Sequence, residues 1–200
     1  MLGARGTWAL CRALIVRAEC GRPVQNLDIS LAVGEASAVT AIDPFSWLVR
    51  KGEMAQRVRD FDWASTELGE PVTWPASLKA SVNLCLASGY PMYVWWGPSL
   101  INIYNDAYVP IAGPAKHPRC FGRPAEETWP EIWPVLEEFV EEVRRTGQAV
   151  WREELLMPVQ RNGQREDAYF TFSFNPVPGD DGSFQGIACI CHEVTGRIKS

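Results

Sequence analysis

The sequence predicts an α+β domain: a five-stranded antiparallel sheet with helices packed across one face, preceded by a helical lead-in. Three observations predict it. Two aromatic or β-branched runs precede a helical region, and three more follow it. Gly- or Asn-containing turns join neighbouring runs and are too short for anything but antiparallel pairing. Between the two groups lies a helix with a clear apolar stripe, suited to covering one sheet face.

The domain is expected over residues 51–198, with the lead-in at 53–88 and the core at 90–196. Residues 1–50 show no sustained period of helix or strand and read as an irregular or disordered N-terminal extension. In the lead-in, Met54, Val58 and Phe61 share one helical face, and Gly69-Glu-Pro71 interrupts it. A second helix begins at Trp74-Pro75, where proline's missing N–H costs nothing, and carries Leu78, Val82, Cys85 and Leu86 as a stripe.

Tyr90 to Trp96 reads as the first strand and Leu100 to Tyr104 as its hairpin partner across Gly97-Pro-Ser99. A short helix from Ala107 to Ala112 follows the capping residues Asn105 and Asp106 and stops at Gly113-Pro114. The long helix runs from Pro134 to Thr146. Val135, Leu136, Phe139, Val140 and Val143 form its apolar face, four glutamates lie away from it, and Gly147 ends it. Three strands finish the chain, over 149–159, 168–177 and 184–194. Arg161-Asn-Gly-Gln164 turns the first into the second, and Gly179-Asp-Asp-Gly182 turns the second into the third. In the middle strand Phe170, Phe172 and Phe174 point one way and Tyr169, Thr171 and Ser173 the other; alternation alone does not say which row faces inward.

Composition excludes several classes of function. A net charge of −5 without a cluster of Lys and Arg argues against nucleic acid. No apolar stretch is long enough to span a bilayer, and Arg12 interrupts the one N-terminal run that could start a signal peptide. A cytoplasmic protein is expected, without membrane attachment. The cysteines at 11, 20, 85, 120, 189 and 191 lack a regular spacing and read as reduced thiols.

Cys189 and Cys191 share a strand face while His192 points away. A tetrahedral zinc site needs four ligands, and Cys85, Cys120 and His117 add none at a supporting spacing. Core packing is the reading for the two thiols, a metal or redox sensor being the lesser alternative. His117, in a Pro-flanked loop, is expected in solvent. Asp106, Glu126, Glu127 and Glu131 read as capping or solvated carboxylates, and with two histidines no nucleophilic triad is assembled. No metal site and no catalytic residue is assigned. An apolar pocket between the sheet and the long helix would be lined by Met92, Val94, Tyr104, Phe139, Val143, Thr171 and Ser173. Simple core filling by these same residues is the competing reading.

An ordered set of local strings supports a resemblance. They are Gly52-Glu-Met54, Phe61-Asp-Trp63, Trp74-Pro-Ala-Ser-Leu78, Tyr90-Pro-Met92, Tyr104-Asn-Asp-Ala-Tyr108, Gly122-Arg-Pro124, Trp129-Pro-Glu-Ile-Trp133, Tyr169-Phe-Thr-Phe-Ser173 and Glu193-Val-Thr-Gly-Arg197. Together they resemble the PAS domains that serve as N-terminal input modules of bacterial sensor and hybrid histidine kinases. The resemblance implies a sensory module of a two-component phosphorelay, acting by protein–protein contact. Its partners would be a second copy, a sensor kinase or a response regulator. A small-ligand receptor is the alternative.

The sequence reaches Ser200 directly after the last strand and has no glycine-rich nucleotide loop. It is expected to be no enzyme, any kinase chemistry belonging to a longer parent or a partner. No cofactor is expected: the Asn-Cys-Arg string of flavin-binding relatives is missing, and the long helix has no histidine for haem. The apolar faces of the two lead-in helices are the expected dimer surface.

Overall fold

The structure is a computed structural model and describes residues 43–161 and 163–200. The N-terminal extension up to residue 42, with Cys11, Cys20 and the run around Arg12, lies outside the described residues, as does Asn162. The elements are α1 (Glu53–Asp60), α2 (Ala76–Ala87), β1 (Met92–Trp96), β2 (Ile101–Tyr104), α3 (Val109–Lys116) and α4 (Ala125–Thr128). They continue with α5 (Trp133–Thr146), β3 (Val150–Arg161), β4 (Gln164–Pro178), β5 (Phe184–Glu193) and α6 (Thr195–Ile198).

The five strands form one antiparallel sheet in the order β2-β1-β5-β4-β3. The first hairpin thus docks beside the last strand, with Tyr93 opposite Cys189 and Trp95 opposite Ile187. Gly186 permits this close approach: a Cβ there would strike the Trp95 carbonyl. At the open side of β2, Asn102 N–H donates to the Arg123 carbonyl at 2.8 Å, and the Asn102 carbonyl accepts from Gly122 N–H at 2.9 Å. That loop covers the sheet edge, which would otherwise offer unpaired backbone groups.

The turn between β3 and β4 is tight, as the sequence requires. Arg161 pairs with Gln164, and Gly163 adopts φ 74°. Between Arg152 and Leu155 the register of β3 shifts, and Glu154 takes φ 51°, the left-handed backbone of a bulge. The break expected at Gly113-Pro114 is present as a kink, Gly113 having φ 69° and ψ 169°, but a further helical turn follows to Lys116. Gly147, at φ 66°, closes α5.

Alternation along the strands sorts the core into two sides. Tyr93, Trp95, Phe172 and Phe174 share the face covered by α5: the Trp133 ring lies 5.9 Å from Trp95, and the Phe139 ring 5.6 Å from Phe172. Val135, assigned to the apolar face of α5, sits at its margin and is exposed. Met92, Val94 and Trp96 point the other way and are also buried, while α2 packs against β1 and β2. The lead-in therefore covers the far side of the first hairpin, and its apolar faces are not free. Met54, Val58, Leu78, Val82 and Cys85 are all buried in this domain's own core. This corrects the expectation that they present a dimer surface.

Residues 43–50, placed in the extension by the sequence, are irregular, and they pack on this core. Leu48 is buried, and Trp47 lies 5.9 Å from Trp74, which meets Trp63 edge-on at 4.9 Å. Both lead-in helices are capped from a distance. Asp106 Oδ1 accepts from Met54 N–H at 2.9 Å, and Asp180 accepts from the N–H groups of Ala76 and Ser77 at 3.1 and 2.9 Å. Among the described residues no helix is long and apolar enough to cross a membrane.

Candidate functional site

Between the sheet and α5 lies a cavity of about 40 Å³, walled mainly by Tyr93, Tyr108, Trp129, Phe172, Phe174 and Cys191. Ligand pockets for metabolites typically hold about 300–1,000 Å³, so this space suits only a few atoms. Aromatic packing closes it. The Phe172 and Phe174 rings are 5.0 Å apart, and Tyr93 stacks on Trp95 at 4.7 Å. Tyr108 Oη accepts a 3.0 Å hydrogen bond from Trp129 Nε1. Burial pushes the hydroxyls of Tyr93 and Tyr108 well above the usual tyrosine range, neighbouring thiols adding to it, so both stay neutral.

None of the seven residues expected to line a pocket lines this cavity. The reason is the face of each strand. Thr171 and Ser173 belong to the row opposite the buried phenylalanines, and Met92 and Val94 point toward the α2 side. Phe139 and Val143 are buried on α5 and help hold the phenylalanine row without reaching the cavity. Tyr104 shares the cavity face but turns to other partners: its hydroxyl lies 2.9 Å from His117 Nδ1 and accepts from Cys120 Sγ at 3.5 Å. His117 is thus partly buried, its Nε2 standing 3.4 Å from Glu53 Oε1. Sequence could not show this, since the contact joins α1, β2 and the loop after α3.

Cys189 and Cys191 point to one face while His192 is exposed on the other. Burial raises the Cys85, Cys120 and Cys189 thiols above their usual range, so they are poor thiolates. Among the described residues no three His, Cys, Asp or Glu side chains are grouped to hold a metal ion.

The other face of β3, β4 and β5 is different. Trp151 sits opposite Ser173, which sits opposite Ile190, in one row across three strands. Trp151 is 59% exposed, Leu156 46% and Ile190 45%. Charges of both signs flank them, with Arg197 reaching Glu154 at 2.6 Å and Arg165 and Asp167 exposed near the hairpin.

A family model described as PAS fold matches residues 102–199. The chain carries a PAS domain. The match starts inside β2, so β1 and the lead-in precede it, although β1 is hydrogen-bonded between β2 and β5. No curated protein matches the chain. Among solved structures it is similar to a sensory box sensor histidine kinase from Vibrio cholerae, at 14% identity and TM-score 0.43, over 59% of this chain and 91% of that one. It is also similar to a PAS domain from Colwellia psychrerythraea, at 13% identity and TM-score 0.46, over 60% and 98% of the two chains. The PAS domain of Bordetella pertussis BvgS is similar at 18% identity and TM-score 0.45, over 61% and 89%. PAS domains are sensory modules. In this one the closing Glu193-Val-Thr-Gly-Arg197 string forms the junction of β5 with α6, where Glu193 accepts from Thr195 Oγ1 at 2.8 Å.

Proposed function

We propose that this PAS domain relays a signal by protein–protein contact in a bacterial two-component phosphorelay, as an input module of a sensor histidine kinase or a stand-alone relative of one. The contact is with a second copy of the chain, through the sheet face that carries Trp151, Leu156 and Ile190. The observation that carries the reading is a large aromatic side chain left 59% exposed on a sheet whose opposite face is fully packed. Contiguous apolar side chains rimmed by polar ones mark interaction sites. A rim with both signs of charge suits an isologous contact, in which each patch meets its own copy. Within the strands, Trp151, Leu156 and Ile190 are the large apolar side chains left exposed.

The domain transmits and does not catalyse, it works in the cytoplasm with its buried cysteines as thiols, and it needs no flavin, haem or metal. A receptor for a metabolite held in the core is disfavoured by a cavity of about 40 Å³. Size-exclusion chromatography with light scattering tests the reading. A mass about twice 22.4 kDa, falling on dilution, is expected. The monomer mass at every concentration, with no kinase or regulator partner captured, would overturn it.

A further inference from the structure

Beside the covered edge of β2 lies an open cleft of about 640 Å³, walled by Phe61, Lys116, Arg119, Phe121, Arg123 and Glu131. Its volume falls in the range of small-molecule sites. One wall is already neutral. Lys116 Nζ lies 3.0 Å from Glu131 Oε1, donates to the Thr128 carbonyl and stands 4.2 Å from the Trp129 ring centre. Glu131 also accepts from Gln160 N–H at 2.6 Å, and both side chains of this pair are only 13% exposed.

The remaining charges are two guanidiniums, those of Arg119 and Arg123, with Glu127 as the one lining carboxylate outside that pair. Neither arginine takes part in an ion pair among the described residues. Arg119 spends one N–H on the Ala115 carbonyl at 2.6 Å and keeps the others. A net charge of −5 on the whole chain makes two unpaired guanidiniums in one cleft a local exception.

Their backbone is pinned. The Arg123 carbonyl accepts from Asn102 N–H at 2.8 Å, and Phe121 N–H donates to Pro118 at 3.1 Å. Gly122, at φ 71°, lies where a Cβ would strike the Phe61 ring, so the loop sits tight against the end of α1. The half-buried Phe61 ring, held edge-to-face on the buried Phe121 ring 5.5 Å away, supplies apolar surface beside the charges. Guanidinium groups match the planar geometry of carboxylate and phosphate oxygens.

We propose that this cleft binds a small anionic metabolite, its carboxylate or phosphate held by Arg119 and Arg123 and its apolar body lying against Phe61. The site is distinct from both the core cavity and the open sheet face. Because Phe61 follows α1 directly, occupancy would tie the lead-in to the β2 edge. This inference does not depend on dimerisation.

The test is an NMR titration of the isotope-labelled full chain with benzoate and with phenyl phosphate at constant ionic strength. Saturable shifts of the amides at 119–123 and of Phe61 below about 10 mM are expected, and the tighter probe names the anion. Arg123→Gln is expected to weaken binding about tenfold, Glu127→Gln to strengthen it, and Arg165→Gln to leave it unchanged. Absence of saturable shifts with both probes would overturn the proposal. So would shifts centred elsewhere, or affinities that ignore both Arg123→Gln and Glu127→Gln.

Discussion

Arg161 grips Glu193 with two parallel hydrogen bonds, Nη1 to Oε2 at 2.8 Å and Nη2 to Oε1 at 3.0 Å. The pair clamps the end of β3 to the last residue of β5, and Glu193 passes the connection to Thr195 at the start of α6. Arg161 Nε stands 3.4 Å from Glu166 Oε2, an ion-pair distance without hydrogen-bond geometry.

Breaking this clamp should loosen the exit from the sheet. The Glu193 carboxyl is held below its usual value of 4.5, chiefly by the hydrogen bonds from Arg161. A depressed carboxylate contributes stability above its unfolded pKa and loses it as pH falls through the folded one. Glu193→Gln is therefore expected to cost about 2 kcal/mol at neutral pH. The cost should begin to shrink as pH falls below about 4.5, where the unfolded carboxyl takes up its proton, and be lost below the lower pKa of the native group. Urea unfolding of both proteins across this pH range checks it; equal midpoints at pH 7 would refute the clamp.

The assignment of strand faces makes a second expectation. Phe174 is buried against Tyr93, Trp95 and Phe139, so Phe174→Ala should cost about 3–5 kcal/mol. Ser173, on the opposite face, bonds locally to Asn175, and Ser173→Ala should cost no more than about 1 kcal/mol. Denaturant midpoints that reverse this order would mean that the hydroxyl row faces inward.

Reactivity of the thiols follows from their burial. Cys85, Cys120 and Cys189 have raised pKa values and are enclosed, so iodoacetamide at pH 8 should leave them unmodified in the native protein. The same cysteines should label fully in guanidinium chloride. Peptide mapping by mass spectrometry distinguishes the cases, and rapid native labelling of Cys189 would restore a redox role.

Much of the fold was legible because its signals are local. The phenylalanine alternation of β4, the tight turn before Gln164 and the Gly147 stop of α5 each depend on a few adjacent residues. The site was less legible because its residues are set by distant pairings. Period two makes the Phe170 and Thr171 rows equivalent until β5 and α5 choose a side. Asp180 caps α2 from the turn between β4 and β5, and His117 meets Glu53 only because α1 folds back beside β2. A lead-in helix with an apolar face looks the same in sequence whether that face meets its own sheet or another chain.

In the proposed function, the open face of β3, β4 and β5 is where this PAS domain meets its partner. The decisive measurement is sedimentation equilibrium of the full chain beside Trp151→Glu, with circular dichroism to confirm that both are folded. The expected result is a reversible dimer for the native sequence and a folded monomer for the variant. Identical masses for the two proteins at every concentration would contradict it.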